Sequence, residues 1–198
     1  MTEAPAMSAD DVVAIGPGRL ALVVGPSGAG KDTLLRLAKA ACVDDRNIVF
    51  PRRVITREAS PSEDNEEISH DAFHHALAQG EYAVHWEAHG HCYALRRAID
   101  DELRAGRTVI ANVSRTVIGA MRRSYADVVV ISITAPQEVL AERLAMRQRG
   151  SDGKIEQRLH RAVDAASAAS DFTIVNVGSA EYHARQLVRM ITGDRWDR

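Results

Sequence analysis

Residues 20–33 read Leu20-Ala21-Leu22-Val23-Val24-Gly25-Pro26-Ser27-Gly28-Ala29-Gly30-Lys31-Asp32-Thr33. An uninterrupted apolar run leads into a glycine-rich turn, and an amphipathic stretch begins at Leu34. An apolar run without alternation suits a strand buried on both faces. Glycines let the turn adopt dihedrals that aim its backbone N–H groups at an anion. The helix that follows points its positive dipole end at the same place. Lys31 adds a mobile point charge for outer phosphates. The strand at 20–24, the loop at 25–30 and the helix that follows, in direct succession, therefore point to a binding site for a nucleoside triphosphate at residues 25–33. A magnesium-binding hydroxyl is expected directly after the lysine. Asp32 stands there instead, with Thr33 one place later. An aspartate is a hard oxygen ligand, so Mg2+ is still an expected cofactor, held by Asp32 or Thr33.

At 198 residues the chain suits one domain with a substantial core. Its formal net charge of −2 gives no basic field for nucleic acid. No apolar run reaches the length of a membrane span. Residues 1–18 lack any basic residue and any apolar h-region, and are expected to be a mobile tail. Cys42 and Cys92, far apart, fit a reduced cytoplasmic protein. Lys31, Lys39 and Lys154 are the only lysines, and the rest of the 25 basic residues are arginine. The total suits codon bias; the positions of particular arginines are the informative part.

Apolar runs and helical patterns alternate, which predicts an α/β domain with a parallel sheet flanked by helices. Strands are expected at 20–24, at 48–50 or 52–56, at 82–86, 91–95, 108–112, 127–134 and 172–177. Helices are expected at 31–41, from Ser69 to near Gly80, up to about Arg104, from Pro136 to about Arg149, from Lys154 to Ala169 and over 180–192. The acidic stretch 58–68 is expected to be a loop.

Two sets of basic residues bear on chemistry. Arg143 and Arg147 lie four apart, on one helix face, and Arg158 follows the Gly150–Gly153 break. Two helices joined at such a break can close as a lid over about 143–161. Its arginines would neutralise a transferring phosphoryl group and exclude water. The second set lies in an insert at about 52–95, with Arg53, Arg57, His85, Trp86 and Tyr93, followed by Arg115 at the end of the 108–112 strand. Arginine and histidine there suit an anionic acceptor. No cysteine or carboxylate array completes a zinc site around His85, His89 and His91. Trp86 reads as a core aromatic.

Over about residues 19–193 the chain resembles the guanylate-kinase-like P-loop kinases. The matching elements are Gly25–Thr33, Ile55-Thr56-Arg57, the pattern from Phe73 through Tyr93, Arg143-Leu144 with Arg147 and Arg158-Leu159, and Asp171-Phe172 followed by Asn176. The resemblance implies an ATP site built from Gly25, Pro26, Ser27, Gly28, Ala29, Gly30, Lys31, Asp32, Thr33 and Asn176. It implies Lys31, Arg143, Arg147 and Arg158 as catalytic groups. The departures are specific. His85-Trp86 occupies the place of the Glu-Trp pair whose acid reads guanine. Asn112-Val113-Ser114-Arg115 stands where a further guanine-side acid is expected, Arg53 replaces a serine and Asn65 a tyrosine. A guanine reader must accept hydrogen bonds from the base, whereas these residues offer donors and positive charge.

That set of changes resembles the ribose 1,5-bisphosphate phosphokinases of bacterial phosphonate degradation, a branch of the family. The resemblance implies transfer from ATP to a sugar bisphosphate held by Arg53, Arg57, His85, Tyr93 and Arg115, giving 5-phosphoribosyl 1-diphosphate. A nucleoside monophosphate kinase and a non-catalytic guanylate-kinase-like binding module are the alternatives. The expected partners are small molecules, with neither nucleic acid nor membrane, and a homodimer is compatible with the sequence.

Overall fold

The computed structural model describes residues 13–58, 64–147 and 170–193. In chain order these form β1 (Ile15–Val24), α1 (Lys31–Ala41), β2 (Ile48–Val49), β3 (Arg53–Ile55), β4 (Asn65–Glu67), α2 (His70–Ala78), β5 (Tyr82–Ala88) and β6 (His91–Arg96). There follow α3 (Ala98–Arg104), β7 (Thr108–Asn112), a 3-10 turn at Arg115–Val117, α4 (Ile118–Ser124), β8 (Tyr125–Thr134), α5 (Gln137–Arg147), β9 (Phe172–Val175) and α6 (Ala180–Thr192).

The first sheet is five-stranded and parallel, in the order β2-β7-β1-β8-β9. β1 lies at its centre, and Leu20 to Val24 are essentially inaccessible to water. Because side chains alternate between faces, this one run serves two cores. Leu20, Leu22 and Val24 pack with Ile99 and Leu103 of α3 and Met121 of α4. Ala21 and Val23 pack with Leu34 and Ala38 of α1 and Leu187 and Ile191 of α6.

The second sheet is four-stranded, in the order β4-β3-β6-β5. One face carries Ile55, Trp86, Tyr93 and Leu95 and joins the core shared with α3 and α4. The opposite face carries Val54, Cys92 and Ala94 and is covered by Phe73 and Ala76 of α2. Ser69 caps α2 by accepting a hydrogen bond from the Ala72 N–H. Trp86 is a core aromatic, stacked on Tyr93 with ring centroids 5.7 Å apart.

The expected α/β architecture stands, with corrections at its margins. β1 begins at Ile15, so residues 15–18 belong to the sheet and not to a tail. Gly16-Pro17-Gly18 hides this from the apolar pattern, while Ile15 still pairs with Tyr125 across a register shift. Part of the predicted loop at 58–68 is β4, whose three residues pair with β3. Both alternatives for the short strand after α1 exist, as β2 and β3. Arg122 and Arg123 are exposed on α4, and the 3-10 turn before it is an element the sequence pattern does not signal. The helix predicted over Lys154–Ala169, most of the lid and Arg158 lie outside the described residues, as does the side chain of Arg147.

Candidate active site

The glycine-rich loop leaves β1 at the centre of the parallel sheet, at the carboxyl ends of its strands, where open α/β sheets bind ligands. Two of its glycines are sterically required. Gly25 has φ 143, and a Cβ there would overlap the carbonyl oxygen of Ile133 in β8. Gly30 has φ 86 and is the N-cap of α1, and its Cβ would overlap the side-chain amide of Asn176. No side chain caps α1, so the N–H groups of its first turn are directed at the loop's hollow.

Three side chains hold the loop in shape. Asn176, buried in the turn after β9, donates to the Ala29 carbonyl at 2.8 Å. Arg143 of α5 donates to the Asn176 carbonyl at 3.0 Å and to the Gly28 carbonyl at 3.4 Å. The Lys31 ammonium arches back to donate to the carbonyls of Gly25 and Pro26, each at 2.8 Å. Ser27 is exposed on the loop, while Pro26, Gly28 and Ala29 are buried. Of the three predicted arginines, the one whose side chain is described touches the loop directly: Arg143 braces its backbone.

Across from the loop lies a cavity of about 450 Å³ between α1 and the second sheet. Asp32, Arg36 and Lys39 line it from α1, Arg53 and Asp64 from the insert, and Asn112 from the end of β7. Asp32 is anchored by the Asn112 amide, which donates to its Oδ1 at 3.0 Å. The Arg53 guanidinium lies 3.6 Å from the same oxygen, with its side chain 14% exposed. Arg53 also donates from Nε to the Asn65 side-chain carbonyl at 3.3 Å. Asp32, Arg53, Asn65 and Asn112 therefore form one connected polar wall running from the phosphate loop into the insert.

Deeper along the inner face of the insert, Arg57 donates to the Tyr93 hydroxyl at 3.3 Å. Alternation puts Arg53 on the same side of β3 as Ile55, the side that Tyr93 and Leu95 share in β6. Arg115 is half-buried just past the carboxyl end of β7. At the cavity's mouth Asp64 accepts from Lys39 at 2.7 Å and pairs with Arg52 at 2.9 Å. The Lys39 hydrogen bond, and secondarily the positive charges of Lys39 and Arg52, hold its carboxyl below the usual carboxylate range.

One predicted acceptor residue stands apart. His85 pairs with Ala94 in the β5–β6 ladder, and Ala94 faces α2. His85 is exposed on that outer face, opposite to Tyr93. The neighbour of the aromatic stack on the cleft side is Val84, not His85. Motif matching assigns His85 to the base-reading position, whereas strand parity removes it from the cleft. Thr33, the alternative metal ligand, is exposed on α1, while Asp32 is half-buried beside the loop.

The sequence marks Asn65 and Asn112 only as departures from the family pattern, and it gives Lys39 and Asp64 no role. Asn112 ends a parallel strand, a position that could have marked it. The roles of Asn65, Lys39 and Asp64 required the pairing of β4 with β3, which their polar sequence conceals.

The guanylate kinase family matches residues 17–192. A protein of Bradyrhizobium diazoefficiens named ribose 1,5-bisphosphate phosphokinase PhnN is 61% identical over 196 residues, covering 99% of each chain. A protein of the same name from Rhodopseudomonas palustris is 58% identical over 181 residues, covering 91% of this chain and 92% of its own. Among solved structures, guanylate kinase from Anaplasma phagocytophilum superposes with a TM-score of 0.67 at 21% identity, covering 93% of this chain and 88% of its own. This chain belongs to the guanylate kinase family of P-loop kinases.

Proposed function

We propose that this chain is an ATP-dependent kinase that phosphorylates ribose 1,5-bisphosphate to 5-phosphoribosyl 1-diphosphate. The observation that carries the reading is the cleft opposite the phosphate loop. Its wall presents Arg53, Arg57, a tyrosine hydroxyl and carboxamides, its carboxylates Asp32 and Asp64 are paired with basic side chains, and none lies on the inner face of β5 or β6 to accept from a purine. An anion-binding wall suits an acceptor that brings two phosphates. The names of the two close relatives support the same reaction. A cytoplasmic role in phosphonate breakdown is the reading the family resemblance supports, and two buried free thiols suit it.

An oxygen of the acceptor's 1-phosphate attacks the γ-phosphorus of ATP. A new P–O bond forms as the bond to the β–γ bridging oxygen breaks, and ADP leaves with that electron pair. The nucleophile is already anionic near neutral pH, so no general base is required. Lys31 would move from the loop carbonyls onto the transferring phosphoryl group, and the loop N–H groups would neutralise the β-phosphate. Arg143 would hold the loop's shape while Arg147 and Arg158 approach from the lid. Arg53, Arg57, Tyr93 and Arg115 would position the bisphosphate. The donor set fits Mg2+, because Asp32 is a hard carboxylate oriented by Asn112 at the first turn of α1. Bound there, Mg2+ would neutralise phosphate charge on the nucleotide.

An ADP-release assay with ribose 1,5-bisphosphate, GMP and AMP as separate acceptors tests the proposal. Turnover is expected with the sugar bisphosphate and not with the nucleotides. Turnover of GMP without turnover of the sugar would establish a guanylate kinase instead, and inactivity with all three would leave a binding module.

A further inference from the structure

On the side of the insert facing away from the cleft, three ligand-bearing side chains converge that the kinase reaction does not use. His70 and His74 lie four residues apart in α2, and so share one face of that helix. Cys92 of β6 points from the second sheet toward the same helix, beside Phe73 and Ala76. One ligand atom from each of the three residues lies within 4.8 Å of the others, and His70 Nδ1 is 4.0 Å from Cys92 Sγ. Zinc bonds of roughly 2.0–2.3 Å to nitrogen and sulfur require ligand atoms a little closer than that. Small side-chain rotations close the difference, because both histidines are exposed.

We propose that His70, His74 and Cys92 form a binding site for a borderline-soft divalent cation of the zinc class, with its fourth position open to water. Two imidazoles and one thiolate are the donor set such ions select, and a set that Mg2+ avoids. The site is therefore chemically separate from the oxygen ligands at Asp32. The cysteine is fixed in advance by its backbone. The Cys92 N–H donates to the Thr56 hydroxyl at 2.9 Å, and the Thr56 N–H donates to the Cys92 carbonyl at 3.1 Å. Glu87, directly opposite Cys92 in the β5–β6 ladder, places a negative charge on the same face. Thr56 and Cys92 are the sequence neighbours of Arg57 and Tyr93. A cation here would pin α2 to the strand ends whose other face holds those two groups.

Titration of the intact protein with Co2+ in Mg2+ buffer reads the site by its spectrum. One equivalent should give a tetrahedral cobalt spectrum with a thiolate-to-cobalt charge-transfer band, bleached by Zn2+. The band should disappear in Cys92→Ser and persist in Cys42→Ser. His74→Gln alters an exposed position and should fold normally, with Mg2+-dependent turnover intact. It should weaken Co2+ binding at least about tenfold, since even outer partners of metal ligands cost 10- to 100-fold. Zn2+ should raise the melting temperature of the wild type and not of His74→Gln. No charge-transfer band, a band that survives Cys92→Ser, or equal affinity in His74→Gln would each overturn the proposal.

Discussion

Asn176 and Lys31 contact the same loop, and their substitutions should separate structure from chemistry. Asn176 is 4% exposed and is the hydrogen-bond donor to the buried Ala29 carbonyl. Asn176→Ala leaves that carbonyl unsatisfied, which costs about 1–3 kcal/mol of stability, and it frees a loop that must be rigid to bind phosphate. Both the melting temperature and kcat/KM should fall. Lys31 is only half-buried, and its two hydrogen bonds to the loop carbonyls are partly open to water. Lys31→Ala should melt close to wild type while kcat falls by about 100-fold or more, the scale of losing one preorganised transition-state charge contact. A Lys31→Ala variant within a few-fold of wild-type turnover would contradict its place at the phosphates. Asp32→Ser restores the usual hydroxyl but removes the carboxylate that Asn112 and Arg53 hold. The Mg2+ concentration giving half-maximal rate should rise, and KM for the acceptor should change with it as Arg53 keeps Asn65 but loses its charged partner. An unchanged magnesium titration would reduce Asp32 to shaping the wall.

At the scale of elements, the second sheet is clamped at its rim by Arg96. Its guanidinium donates to Glu66 in β4 at 2.5 Å and to Glu81 ahead of β5 at 2.6 Å, and it lies over the Tyr82 ring at 5.8 Å. The Arg96 hydrogen bond holds the Glu66 carboxyl below its ordinary range. A carboxyl depressed by folding stabilises the native state above its unfolded value of about 4.3. That contribution disappears as pH falls through the folded value beneath it. Arg96→Gln should therefore melt below wild type near neutral pH, and the gap should narrow on acidification below about pH 4. With side chains about one-third exposed, the gap is worth at most about 1 kcal/mol. A gap that stays constant to low pH would mean that Arg96 acts through packing on Tyr82 alone. The same clamp shows why this region was hard to read. β4 is Asn65-Glu66-Glu67, an edge strand with no apolar alternation, and nothing local distinguishes it from a loop. Its identity comes from pairing with β3 and from Arg96, both remote in sequence. The His85 assignment failed for a related reason. Its motif position is clear, but which face it occupies depends on the register of a hairpin, and one residue of hairpin length exchanges the two faces.

At the scale of the whole molecule, the legible parts are those coded by contiguous residues. The stretch from Leu20 to Thr33 announces strand, turn and helix together, and the apolar run Val128–Ile131 announces an interior parallel strand. What needed the three-dimensional structure was contact between distant segments, such as the wall joining Asp32, Arg53, Asn65 and Asn112. The amino end of β1 is the largest such case. Gly16-Pro17-Gly18 reads as a break, yet the backbone there is tightly enclosed. Gly18 is buried, and a Cβ on it would overlap the backbone carbonyls of Leu103 and Arg107. Ile15 pairs with Tyr125 and packs against the core shared by α3 and α4. A chain begun at Arg19 would lose this half-buried isoleucine, a loss of about 1 kcal/mol at the usual value per area. It would also uncover the end of α3. Relative to a chain begun at Val13, its melting temperature should fall by about 2–4 °C for each kcal/mol lost. The phosphate loop lies at the other end of β1, so KM for ATP should be the same in the two truncated chains. Equal melting temperatures would show that residues 15–18 add nothing to the sheet, and a raised KM for ATP would show that strain at one end of β1 reaches the other.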